Sequence, residues 1–98
     1  MATRKKAQEV IAEAAELRRA SEDAFLASMR TELDVVRTMC VLATQEKGER
    51  RTHHVQQAEK AFESVLEIGK RVQPSPQDRH DIEEALQCIR QLGGRDFS

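Results

Sequence analysis

The chain has 98 residues, of which 34% are charged and 3% aromatic, and it contains neither Trp nor Tyr. A chain of this length forms one small domain, so we assign residues 1–98 to a single helical domain. Two prolines and four glycines are few for a β-rich protein, and 39% apolar residues are too many for a disordered one. The composition predicts an all-α fold.

The near-zero net charge, the lack of a long apolar stretch and the cysteine spacing limit which partners and which cell compartment we expect. Sixteen basic residues oppose seventeen acidic ones, whereas a dedicated nucleic-acid-binding domain carries a clear basic excess, so we expect no nucleic-acid partner. No stretch reaches the roughly 20 apolar residues that cross a bilayer, and we expect no membrane partner. Cys40 and Cys88 lie far apart without a CxxC spacing. They predict a cytoplasmic protein with reduced thiols.

The few glycines and prolines mark where the predicted helices end. All except Gly69, which lies inside the predicted second helix, do so: Gly48, Pro74, Pro76, Gly93 and Gly94. The segments between them predict helices at about residues 4–46, 50–72 and 76–92. Short connections between helices are typical of antiparallel neighbours. The prediction is therefore a three-helix antiparallel bundle with a long first helix.

The third helix has the clearest boundaries. Ser75 can accept a hydrogen bond from the amide of Asp78, and Pro76 takes the first helical position, where its missing N–H costs nothing. Gly93 supplies the left-handed residue that ends the helix. In the second helix, Pro74 predicts an end near Val72.

The first helix has more apolar surface than the other two helices can cover. From Leu26 to Ala43 its apolar residues keep the 3-4-3-4 spacing of a coiled-coil seam. Its first half carries a thinner apolar row. At about 1.5 Å per residue the first helix spans roughly 65 Å, whereas the second spans roughly 35 Å. Something else must cover the first half.

Two arrangements provide that cover. If the first helix breaks near Ser21, where cations precede a capping residue and two acids, the chain forms a four-helix bundle. If it runs on, its exposed half pairs with another copy, most simply in a two-fold homodimer. We favour the continuous helix because residues 4–46 contain neither Gly nor Pro.

The leading functional hypothesis is a helical protein–protein interaction or scaffolding module that forms a homodimer and has no catalytic site. The interface candidates are Val10, Ile11, Leu17, Phe25, Met29 and Leu33. A groove for a partner helix is a related possibility, because methionine side chains adapt to varied surfaces. Its expected lining is Phe25, Met29, Met39 and Phe62.

The alternative hypothesis is a small ligand- or metal-binding sensor that uses the bundle core or the adjacent His53 and His54. Neighbouring helical residues project about 100° apart, so the two imidazoles do not face one metal as an i, i+4 pair does. The chain has no Gly-rich phosphate loop, nucleophile elbow or zinc-ligand spacing. We therefore predict no cofactor, no metal and no enzymatic activity.

Overall fold

Three helices make up the fold. The computed structural model describes residues 2–97, and the side chains of residues 7–97. Helix α1 covers Ala2–Gln45, α2 Glu49–Gly69 and α3 Pro76–Gln91, with no strand between residues 2 and 97. The molecule measures 71 × 22 × 17 Å because α1 extends well beyond the other helices. The predicted all-α bundle with a long first helix is confirmed.

Helix α2 returns along the second half of α1. Near the start of α2, the His54 Nδ1 lies 2.9 Å from the Glu46 carboxylate, just past the end of α1. Beyond the other end of α2, the Arg71 guanidinium lies 5.9 Å from the centre of the Phe25 ring. The two helices are therefore antiparallel, and α2 covers α1 only from about residue 25 onward.

Helix α3 runs in the same direction as α1. Arg30 pairs with Asp78 at 3.0 Å, and one turn further along α3 Asp81 pairs with Arg37 at 3.2 Å. The order of the partners along both helices is the same. The bundle therefore has an up-down-up topology in which the second half of α1 touches both other helices.

The core lies where the three helices meet. Its buried members are small or medium apolar side chains around one phenylalanine. Apart from the adjacent Ala61 and Phe62, they follow one another at intervals of three or four residues within each helix, as expected for one-sided helices. They are Met29, Leu33, Val36, Cys40, Ala58, Ala61, Phe62, Val65, Ala85 and Ile89. The core therefore occupies one half of the molecule's length: among the described side chains its buried members begin at Met29, and Leu26 packs against them.

Helix α1 is continuous through Ser21, so the alternative four-helix bundle is wrong. Ser21 has a favourable capping chemistry, but α1 contains no glycine or proline that would let the backbone turn back. A serine inside a helix costs only a few tenths of a kcal/mol relative to alanine. Without a backbone breaker, the helix therefore continues through this position.

Helix α2 ends earlier than its predicted boundary at residue 72. It stops at Gly69, and the amides of Lys70 and Arg71 bond to carbonyls only three residues back. Glycine has a low helix propensity, so the last turn tightens before Pro74 is reached. At the other end Gly48 takes a positive φ of 68°, and residues 49–52 are already helical.

The start of α3 forms as predicted and adds a second bond. The Ser75 hydroxyl accepts from the amide of Asp78 at 3.1 Å, and the Asp78 carboxylate accepts from the amide of Ser75 at 3.1 Å. This reciprocal pair is a capping box. Pro76 follows Ser75 in the first helical turn, and Gly93 takes a φ of 74° where the helix ends.

The chain after α3 folds back onto α2, which the sequence analysis did not predict. The amide of Gly94 donates to the carbonyl of Ile89 at 2.9 Å. The amide of Arg95 then donates to the Glu59 carboxylate at 2.7 Å. Phe97 packs edge-on against the core phenylalanine, with ring centres 4.9 Å apart. Phe97 is thereby packed against the core beside the middle of α2.

Candidate interaction surface

The first half of α1 projects from the bundle as a bare helix. Residues 7–24, which we call the arm, are all exposed apart from the half-buried Ala14 and Ala15. At about 1.5 Å per residue the arm is roughly 27 Å long. Val10, Ile11 and Leu17 are 61%, 69% and 68% exposed. The arm therefore presents the row of large apolar side chains that the sequence places there.

Three residues expected to contact a partner are instead core residues of this chain. Met29 and Leu33 are 0% and 2% exposed, and Phe62 is 1% exposed. The seam on which the two α1 residues lie is covered by α2 on one side and α3 on the other, so it offers no surface to another molecule. Phe25 is half-buried at the boundary between arm and bundle, against Arg71. The expectation for Met29, Leu33 and Phe62 is thus corrected.

The apolar row lies between charged side chains. Glu9, Glu13 and Glu16 are exposed, as are Arg18 and Arg19. Since both signs are present, the arm does not form a strong field of one sign. Recognition of the arm through its apolar row is therefore better supported than recognition through charge alone.

The contact between α1 and α3 centres on one buried carboxylate. The side chain of Asp78 is 4% exposed and takes two hydrogen bonds from the Arg30 guanidinium, at 3.0 and 3.2 Å. The hydrogen bonds from Arg30, helped by those from Ser75, outweigh the effect of burial and lower the pKa of Asp78 to about 2. Asp78 is therefore ionised near neutral pH and fixes α3 against α1. The sequence carries no signal for this pair, because 48 residues separate its members.

The two cysteines lie on one open cavity of about 630 Å³ between α1 and α3. Both are free thiols, and Cys40 is buried while Cys88 is half-buried. Burial, with a smaller contribution from the adjacent Cys88, raises the pKa of Cys40 to about 11. The Cys40 thiol is thus protonated near neutral pH, which suits a packing role.

The histidine pair lies at the start of α2. The rings of His53 and His54 have centres 5.9 Å apart and are inclined by 65°. His54 Nδ1 lies 2.8 Å from the carbonyl of Arg50 and 2.9 Å from a buried Glu46 oxygen, so one N–H faces two acceptors. Across residues 2–97 no cluster of three or more His, Cys, Asp or Glu could hold a metal ion. The His54 ring and the Glu46 carboxylate therefore meet at the turn between α1 and α2, where the Glu46 Oε2 is buried without a hydrogen bond.

Comparison with known proteins adds no relative. No protein family, curated protein or solved structure matches the chain significantly. Within the part of the chain that the structure describes, no helix has the length and apolar character needed to span a membrane.

Proposed function

We propose that the protein is a helical interaction module that forms a homodimer through the arm of α1. The observation that carries the proposal is the exposed row of Val10, Ile11 and Leu17 on a helix half that α2 and α3 leave bare. Large exposed apolar side chains grouped on one element are typical of interaction sites. A second copy offers the same row, and a two-fold interface is built from one surface used twice.

The size of the apolar row sets the expected strength of the dimer. Fully burying a Val, Leu or Ile side chain stabilises by about 1.5–3 kcal/mol, and these side chains are already about one-third covered. Val10 and Leu17 lie seven residues apart on one side of the helix, so a dimer can bury four such side chains, which contribute roughly 4–8 kcal/mol. This is of the order of the 4–15 kcal/mol lost on association. We therefore expect a dimer that dissociates on dilution.

Light scattering over a hundredfold range of concentration tests the proposal. The mass should rise from the 11.1 kDa of one chain towards twice that value as the concentration increases. Leu17→Glu removes an apolar contact from both copies and places two charges in the interface. We expect it to weaken association by about 100-fold or more.

Val41→Glu is the matched control. Val41 lies on the same helix and is 55% exposed, but it is outside the arm. Val41→Glu adds the same charge as Leu17→Glu but leaves the arm unchanged, so this variant should associate as strongly as the unmodified protein. A mass of 11.1 kDa at every concentration, or equal association of the Leu17→Glu and unmodified proteins, would contradict the proposal.

The remaining functional predictions have less support. The sensor hypothesis requires a ligand site, and His53 and His54 are not joined by a third metal ligand within the described residues. A titration with zinc, followed by thermal unfolding, tests it: a rise in Tm that His53→Ala abolishes would favour the sensor. The absence of catalysis remains a prediction. So does a cytoplasmic location, which rests on the two free cysteines.

A further inference from the structure

The arm carries a regular seam that continues the contact surface of α2. Small and apolar residues recur with the 3-4 spacing of a coiled coil. They are Ala7, Val10, Ala14, Leu17, Ser21, Ala24 and Ser28. Ser28 lies beside α2, on a groove that it shares with Ile68 and Arg71. A residue seven positions away lies on nearly the same side of a helix, so the seam faces the side that α2 occupies further along.

The seam is therefore an empty extension of the α1–α2 groove. Helix α2 stops at Gly69, and the turn after it reaches only Phe25. On the N-terminal side of Phe25, the seam is uncovered for the roughly 27 Å length of the arm; we call this uncovered surface the track. Alanine and serine on the seam allow a second helix to approach closely. The occupant that fits is a helix lying in line with α2 and antiparallel to α1.

We infer that this track takes the arm of a second copy, with the two arms antiparallel and the two-fold axis near Ala14 and Ala15. The inference rests on the proposed function, since it supplies the geometry of the same dimer. In this arrangement each arm covers the other's Val10 and Leu17. The two bundles lie at opposite ends of the assembly, and each arm fills the length that α2 leaves open.

The fold itself excludes the parallel arrangement on this seam. Helix α1 is continuous to Gln45, so a parallel partner helix in the track would run on past residue 25. There it would enter the volume that α2 fills from Gly69 back towards Glu49. An antiparallel partner instead passes residue 7 and leaves the first chain. The antiparallel partner overlaps the end of α2 by only about one turn at the start of its own α1, whereas a parallel partner would overlap α2 along its whole length.

Small-angle X-ray scattering at a concentration where light scattering shows a dimer tests the orientation. One chain is 71 Å long. Antiparallel arms centred near residues 14–15, at 1.5 Å per residue, give a maximum dimension of about 100 Å. We expect this value for the unmodified protein and for Val41→Glu, and a monomer for Leu17→Glu at the same concentration.

Each other result overturns the inference in a distinguishable way. A dimer that remains close to 71 Å long would mean parallel arms, so the orientation would be wrong while the proposed dimer stands. A dimer of about 140 Å would mean end-to-end contact, and a dimer that persists in Leu17→Glu would mean contact through the bundle instead of the arm. A monomer at every concentration would overturn both the orientation and the proposed function.

Discussion

Replacing Asp78 with asparagine isolates the charge of the carboxylate that joins α1 and α3. Asparagine has nearly the same size and retains an oxygen that accepts from the amide of Ser75. A pKa of about 2 in place of 3.8 corresponds to at most about 2.5 kcal/mol at 1.36 kcal/mol per pH unit. Arg30 is 58% exposed, so water screens part of this interaction. We expect Asp78→Asn to lower the free energy of unfolding by about 1–2 kcal/mol at pH 7.

The pH dependence identifies the cause of this loss. Since the folded-state pKa is lowered from 3.8 to about 2, the stabilisation is complete above about pH 5 and is lost progressively as the pH falls through 3.8 and then below 2. Urea unfolding followed by circular dichroism, at one protein concentration and several pH values, measures the difference between the two proteins. That difference should shrink to about one-fifth of its pH 7 value or less at pH 2.

Asp34→Asn provides the matched control. The side chain of Asp34 is 76% exposed and lies 3.8 Å from Arg37, so its loss should change stability by less than about 0.5 kcal/mol. If Asp78→Asn is no more harmful than this control at pH 7, the buried pair does not stabilise the bundle. If the loss is the same at pH 7 and pH 2, it comes from altered packing, and the electrostatic reasoning is wrong.

Three further changes test other parts of the structure. Ser21→Pro should separate the arm from the bundle and lower the helical circular dichroism signal by roughly a fifth. At a concentration where the unmodified protein is monomeric, the urea midpoint of the bundle should not change. An unchanged helical signal would contradict a continuous α1. Gly94→Ala should lower the free energy of unfolding, measured in urea, by about 1–3 kcal/mol, because the added Cβ would lie 2.6 Å from the Ile89 side chain. An unchanged free energy would show that the turn adjusts freely. Iodoacetamide at pH 8 should modify Cys88 well before Cys40, because burial raises the pKa of Cys40 to about 11. Mass spectrometry measures the two rates of modification, and equal rates would contradict the burial of Cys40.

The features of the fold that depend on nearby residues were predictable from sequence. Ser75 and Pro76 set the start of α3 through bonds spanning three residues, and the absence of glycine and proline predicted a continuous α1. The sequence places the end of α2 near residue 72, because proline is the stronger helix breaker, but the helix ends at Gly69. The exposed arm residues followed from the difference in helix lengths.

Features that join distant parts of the chain were not predictable in the same way. Met29 and Leu33 lie on a seam whose spacing is equally consistent with a neighbour from this chain or from another. Their burial follows only from where α2 and α3 are placed. The contact of Phe97 with Phe62 depends on a turn at Gly93 that directs the chain back across α2. One sequence contains no information on such pairings beyond the residue types.

The charge pairs at the start of α3 also determine how that helix can move. Asp78 pairs with Arg30 and Asp81 pairs with Arg37. A shift of α3 along its axis by one turn would therefore leave the buried Asp78 carboxylate without the Arg30 guanidinium. Breaking a buried pair in this way costs several kcal/mol, although Arg30 at the rim reduces that figure. The two pairs therefore oppose axial slippage of α3. Departure of α3 as a unit would uncover the thiol of Cys40 and hydrate Asp78 in a single event.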